Sequence, residues 1–263
     1  MTGQLLLRGM LVGLLAGLLA FAFARIVGEP SVERAIAFET PHEHSHTHGD
    51  SAGPAHEHAH GHADADEPFS RSVQAGLGLF TGVMVYGAAL GGVFALVFAA
   101  LHGRAGRLDP RALSALIAIA GFTAIALVPW LKYPANPPAV GDAETIGLRT
   151  ALYFGFLATS LVAMGAAFAA ARMARQRAGL WNAALLGGAV YILALGVAAF
   201  VMPAVDEVPA QFPASLLWSF RLASIGIQLV LWTGLGLGFG WLAERSLRTR
   251  MPQTGQVFAH RAV

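Results

Sequence analysis

The sequence predicts an all-α integral membrane protein, a six-helix bundle with a disordered histidine-rich loop between helices 1 and 2. Three observations carry this. Of 263 residues, 56% are apolar and only 12% charged, where a soluble domain carries roughly a quarter charged. Six apolar stretches reach the length of a span, which takes about 20 residues. Positive charge also alternates from one connecting segment to the next.

The six stretches are residues 5–27, 73–101, 112–131, 146–171, 180–202 and 214–241, within one membrane domain, 1–263. They are rich in Leu, Ala and Gly and lack the polar alternation of a barrel strand. In hydrocarbon a helix satisfies its own backbone, so each reads as a helix. The first has a second reading. Arg8, a leucine-rich run and Ala22-Phe23-Ala24 resemble a secretory signal with its cleavage site. Because the apolar run continues past that site to Val27, the span reading is preferred.

Orientation follows from Lys and Arg, which concentrate in short cytoplasmic loops. Arg8 lies near the start of the first stretch. Arg104, Arg107 and Arg111 lie between the second and third, and Arg172, Arg175 and Arg177 between the fourth and fifth. Arg245, Arg248, Arg250 and Arg261 follow the sixth. The alternate loops collect most of the acids. Both termini are therefore expected in the cytoplasm, with the histidine loop on the non-cytoplasmic side, periplasmic or extracellular.

Small residues one turn apart predict close helix packing. Examples are Gly13/Gly17, Gly78/Gly82, Gly87/Gly91 and the run Gly234, Gly236, Gly238 and Gly240.

Residues 41–66 read PHEHSHTHGDSAGPAHEHAHGHADAD. One block holds His42, His44, His46 and His48; the other holds His56, His58, His60 and His62. Gly, Ala, Pro and acids between them cannot build a core, which predicts disorder in the absence of metal. Neutral imidazole is a good ligand for Co²⁺, Ni²⁺, Zn²⁺ and Cu²⁺. Alternate spacing in a flexible chain lets several rings reach one ion. The bland reading is a solvated linker. The pattern points to divalent cations and leaves the metal open.

Much else is excluded. With no Cys there is no thiolate or iron–sulfur site. No Walker A loop is present. The HxxxxDH signature of nickel/cobalt permeases is missing, as are the paired His/Asp and His/Glu ligands that other metal carriers place in their helices. No nucleophile–base constellation is evident, so the chain reads as a non-enzyme without an organic cofactor and without nucleic-acid partners. Ser and Thr within the helices mostly serve their own backbone, which leaves Gln228 as the mid-helix polar residue of interest. The segments LVPWLKYPANPPAVGD and MPAVDEVPAQFPASLLWSFR are proline-stiffened. They read either as a site or as a rigid interfacial cap, with Trp130, Tyr133 and Trp218 in the aromatic belt.

At these segments the chain resembles the CbtA family of probable cobalt transporter subunits, through the stretches RGMLVGLLAGLLAFAFARIVGEPSVERAIAFE, RSVQAGLGLFTGVMVYGAALGGVFALVFA, LKYPANPPAVGDAETIGLRT, LWNAALLGGAVYILALGV and PAVDEVPAQFPASLLWSFRLAS. The resemblance runs through most of the chain. It implies a membrane component of a proposed bacterial cobalt importer, linked to cobalamin biosynthesis. The implied partner is a small one-span protein with its own histidine-rich tail. Positions matching the family are Glu29, Glu33 and Glu39; Tyr133, Asn136 and Asp142; and Asp206, Glu207, Trp218 and Arg221. Two departures stand out. The family is described with five spans, where this chain reads as six, and the histidine loop looks like an insertion after the AIAFE segment.

The leading expectation is divalent-metal uptake, most simply of Co²⁺, with the loop as collector. The competing one is a membrane metal-binding scaffold or sensor that conducts nothing. The sequence leaves self-association open; membrane lipid is the other partner. A reporter fused at Gly53 should read as non-cytoplasmic; cytoplasmic activity there would reverse the topology.

Overall fold

The computed structural model describes residues 2–43, 73–104, 108–138 and 140–248. Every regular element among them is helical. Five helices are long and apolar enough to cross a membrane. They are α1 (Gly3–Phe38), α2 (Ala75–Leu101), α3 (Pro110–Lys132), α4 (Ala143–Val201) and α5 (Ala214–Arg248).

The first helix runs further than the sequence suggests. Its apolar run ends at Val27, and Gly28-Glu29-Pro30 looks like a stop, yet helical backbone continues to Glu43. Proline lacks an N–H, and its ring crowds the carbonyl four residues back. A wide π-helical turn, Ala24–Gly28, lies immediately before Pro30. α3 repeats the device, with Phe122–Leu127 wide ahead of Pro129. Such turns take one extra residue and free the carbonyl that the proline cannot serve.

α4 departs from the sequence reading in the other direction. The sequence predicts a loop across 172–179, but this stretch is helical up to one break, Gly179, at φ 77° and ψ 172°. That conformation is essentially closed to residues with a Cβ. The chain reverses there. Ser160 and Tyr191 would lie about 46 Å apart along a straight helix, yet their hydroxyls are hydrogen-bonded at 2.8 Å. α4 is thus two helical arms, 146–178 and 180–201, joined at one glycine.

The chain forms two compact units. The first holds the described residues of Met1–Leu19, Val83–Ile119 and Val230–Val263. Its packing is backbone on backbone. A Cβ added at Gly13 would overlap the Gly87 carbonyl, and one at Gly9 the Gly91 carbonyl, with the converse also true. The glycine run on α5 divides into two faces. Gly234 and Gly238 meet Ala16 and Val12 of α1, while Gly236 and Gly240 meet Ala118 and Ser114 of α3. Added Cβ atoms would lie 2.7–3.1 Å from those side chains. Ser114 is fully buried and donates to the Gly236 carbonyl at 2.8 Å. Phe94 and Phe98 fill the remaining space edge-on against Phe239.

The second unit holds Ala20–Gly82 and Ala120–Leu229 as far as described. One cluster zips the α4 arms together through Phe156, Ala163, Ala167, Tyr191 and Leu195. Another sets Ala35, on the part of α1 beyond Pro30, against Val140, Phe212 and Leu216. The most apolar window of α4 is 17% buried, against 33–39% for the other four helices. Much of the apolar surface along that window is therefore left to lipid or to another protein.

Of the predicted glycine pairs, Gly78/Gly82 is not a packing face: nothing lies within 4 Å of a Cβ at Gly82. Gly82→Ala should therefore leave stability unchanged or raise it by up to about 1 kcal/mol through helix preference. Gly13→Val should lower it by about 1–3 kcal/mol, the usual cost of overpacking. Thermal unfolding of the purified protein in detergent measures both.

Candidate functional site

The two proline-rich segments, 133–142 and 202–213, are bound to each other within the second unit. Lys132, the last residue of α3, donates to the carbonyls of Ala199 and Met202 at 2.9 and 3.0 Å. It thereby caps the C-terminus of α4, where free carbonyls and the helix dipole favour a cation. The next residue, Tyr133, donates its hydroxyl to the Pro203 carbonyl at 2.8 Å and packs its ring edge-on against Phe156. Burial pushes the Tyr133 hydroxyl above its ordinary pKa, so it remains a donor across the physiological range.

A charged clasp follows. Asp142 opens the single 3₁₀ turn Ala143–Thr145, its carboxylate accepting from the Glu144 N–H at 2.9 Å. The Asp142 N–H donates to Glu207 at 2.9 Å, and its carbonyl accepts from Arg149 at 2.9 Å. Arg149 in turn lies 3.3 Å from the Glu207 carboxylate. The Asp142 N–H and then the Thr145 hydroxyl, with a smaller contribution from Arg149, hold Glu207 below the usual carboxylate range. Gly141 makes this possible. Its φ is 116°, and a Cβ there would run into the Arg149 guanidinium.

A second connection ties α5 to the same segment. Arg221 donates to the Asn136 side-chain oxygen at 2.9 Å, with Asp206 adding favourable charge. The Trp130 indole N–H donates to the Arg221 carbonyl at 3.2 Å. Trp130 and Trp218 rings are 6.4 Å apart. Trp218 is 56% exposed, as an aromatic-belt residue would be.

Glu29 stands apart from this cap. It is 8% exposed and lines a cavity of about 110 Å³ beside the first wide turn. Ser224 is the other polar group on the cavity wall; Val32, Leu79, Phe220 and Ile227 are among the apolar ones. One turn along α5 from Ser224, the Gln228 side-chain oxygen is buried without a hydrogen-bond partner among the described residues.

The structure thus brings together six of the residues singled out from sequence: Tyr133, Asn136, Asp142, Asp206, Glu207 and Arg221. It leaves Glu33 exposed on α1, and the Glu39 side chain lies outside the described residues. Of segment 41–66 only the backbone of residues 41–43 is described, as the end of the first helix. The side chains of His42, His44, His46, His48, His56, His58, His60 and His62 lie outside the described residues. His102 stacks on Phe98, four residues before it in the chain. Among the described residues no group of three or more His, Asp or Glu could hold a metal ion. Sequence reasoning passes over Gly141; a lone glycine between Pro-Pro-Ala-Val and a helix-capping Asp is the signal available.

The family model described as "Probable cobalt transporter subunit (CbtA)" matches residues 2–244. No curated protein matches the chain, and no solved structure does.

The pH response of the clasp follows from Glu207. Its folded pKa is depressed, so its contribution is complete above the unfolded value, about 4.3, and is lost as pH falls through the folded one. Glu207→Gln should lower the melting temperature at neutral pH. Its difference from wild type should shrink in scans taken progressively below that value. A constant difference at all pH would mean that the carboxylate charge plays no part.

Proposed function

Because the chain belongs to the family of probable cobalt transporter subunits (CbtA), we propose that it is the membrane component of a Co²⁺ uptake system. The observation that carries this reading is the extent of the family match, which takes in all five helices and both proline-rich segments. The two arms of α4 are each long enough to span, so the chain makes six crossings. Arginine-rich segments then fall on the cytoplasmic side with both termini, in a bacterial inner membrane. The histidine loop and the cap face out.

The loop acts as a collector. Its two four-histidine blocks bind Co²⁺ and raise its concentration at the membrane, and would bind Ni²⁺ or Cu²⁺ at least as tightly. Capture weakens below about pH 6.5 as the rings protonate. Exposed carboxylates at Glu33, Asp142 and Asp206 draw the cation inward from the loop. The cap supports such a role, since the bonds that fix it also fix where Asp142 and Asp206 stand. A small one-span partner with a histidine-rich tail completes the system, in keeping with a family described as transporter subunits. The chain itself carries out no covalent chemistry.

Flux into vesicles containing the purified protein, with and without that partner, tests the proposal across Co²⁺, Ni²⁺, Zn²⁺ and Cu²⁺. Co²⁺ should enter. Deleting residues 41–66 should raise the Co²⁺ concentration needed for half-maximal uptake while sparing the maximal rate. Complete loss on deletion would make the loop the transit site itself. No flux of any metal, even with the partner present, would favour a non-conducting scaffold or sensor.

A further inference from the structure

Among the described residues of the first unit, every Arg, Asp and Glu stands near a helix end on one side of the bundle. Arg8 is near the start of α1, Arg104 just past α2, Asp109 and Arg111 at the start of α3, and Glu244, Arg245 and Arg248 in the last turns of α5. Contacts join these ends: Arg8 donates to the Ser246 hydroxyl, and Arg111 pairs with Glu244. Five arginines thus face two carboxylates, an excess of three positive charges. Both carboxylates are engaged. Asp109 accepts from the Ala112 N–H at 2.6 Å. Glu244 is shared between Arg111 and Arg248, the latter at 2.7 Å.

The outer face of α5 at this end is graded. Leu237, Trp241 and Arg245 follow at four-residue spacing, with Arg248 one turn on, so they share a face. All four are exposed. The order along the helix is alkyl, indole, guanidinium. A phospholipid presents the matching order of acyl chain, glycerol and phosphate. The Arg245 guanidinium lies 4.1 Å from the centroid of the Trp241 ring. Stacking uses the face of a guanidinium and leaves its N–H edge, which chelates phosphate, available. A soluble polyanion would match the charge and leave the alkyl and indole part of the stripe unused.

We propose that this stripe is a binding site for an anionic phospholipid. Arg245 and Arg248 hold the phosphate, Trp241 lies beside the glycerol, and an acyl chain runs along Leu237. Arg8, Arg104 and Arg111 add to the attraction. Arginines in loops orient a membrane protein by their number. Arg245 and Arg248 instead stand on a helix, one set by the Trp241 ring and the other by Glu244, so their position matters as well as their charge. The site is independent of what the protein carries across the membrane.

Native mass spectrometry of the purified full-length protein in neutral detergent tests this, with phosphatidylglycerol and phosphatidylcholine as probes. Wild type should retain phosphatidylglycerol in preference. Equal retention of the two lipids overturns the site without recourse to any variant. Arg245→Gln with Arg248→Gln should weaken phosphatidylglycerol retention roughly 30-fold. Arg172→Gln with Arg175→Gln removes the same charge from exposed positions of α4 and should leave retention nearly unchanged. Equal loss in the two pairs overturns the site, since net charge alone would then set affinity. Inorganic phosphate should not displace the lipid; displacement would mean that the arginines take free phosphate, and the lipid assignment falls. Should the first glutamine pair fail to fold, Arg245→Lys decides instead. Lysine keeps the charge but neither stacks flat nor chelates, so retention should fall, and unchanged retention overturns the site.

Discussion

A backbone in hydrocarbon must satisfy its own hydrogen bonds, and Pro30 and Pro129 stand within helical stretches of this chain. Much of the second unit answers to that conflict. Pro30 and Pro129 each follow a wide turn, and each turn shifts the facing of what comes after it by roughly 100°, one residue's rotation. After the first turn, α1 carries Ala35 into contact with Val140, Phe212 and Leu216. After the second, α3 delivers Trp130 to α5, Lys132 to the end of α4, and Tyr133 to Phe156 and the segment after α4. The cavity beside Glu29 lies at the first turn. Among the described residues of the first unit there is no such interruption, and there the helices approach through glycine.

The glycines follow directly from the absence of a hydrophobic drive between helices in lipid. Attraction must come from contact, and contact is closest where no side chain intervenes. α1 meets α2 through Gly9 and Gly13, and α5 through Val12 and Ala16. The alternating glycines of α5 let one helix meet two neighbours at once.

Much of this is legible in the sequence, because span length and apolar composition are coarse signals that survive local irregularity. Helices begin near residues 73, 112, 146 and 214, where the sequence has apolar stretches, and the stretch from 180 is the second arm of α4. The expectation that Ser and Thr serve their own helix holds for Thr81, Thr159 and Ser224. It fails at Ser160, whose partner Tyr191 is near only because the chain turns at Gly179. The extension past Pro30 is illegible for a related reason. Proline ends a helix by default, and whether a wide turn absorbs it depends on what the continued helix can bury. A pairing such as Gly13 with Gly87 is half legible: the small faces show in sequence, their partners do not. Gly78 and Gly82 carry the same pattern, yet Gly82 faces nothing.

The cap and the cavity divide the charged groups by what surrounds them. In the cap, Glu207 is fixed by the Asp142 N–H, Thr145 and Arg149, and Arg221 by Asn136. Charges held that way set geometry and are poorly placed to exchange ligands, because each departure leaves a partner unsatisfied. Glu33, Asp142 and Asp206 remain exposed, where water screens them and a hydrated cation can approach at little desolvation cost. Glu29 is buried, on the wall of the cavity beside the first wide turn. One class of side chain thus supports both structure and attraction, with burial and bonding deciding which.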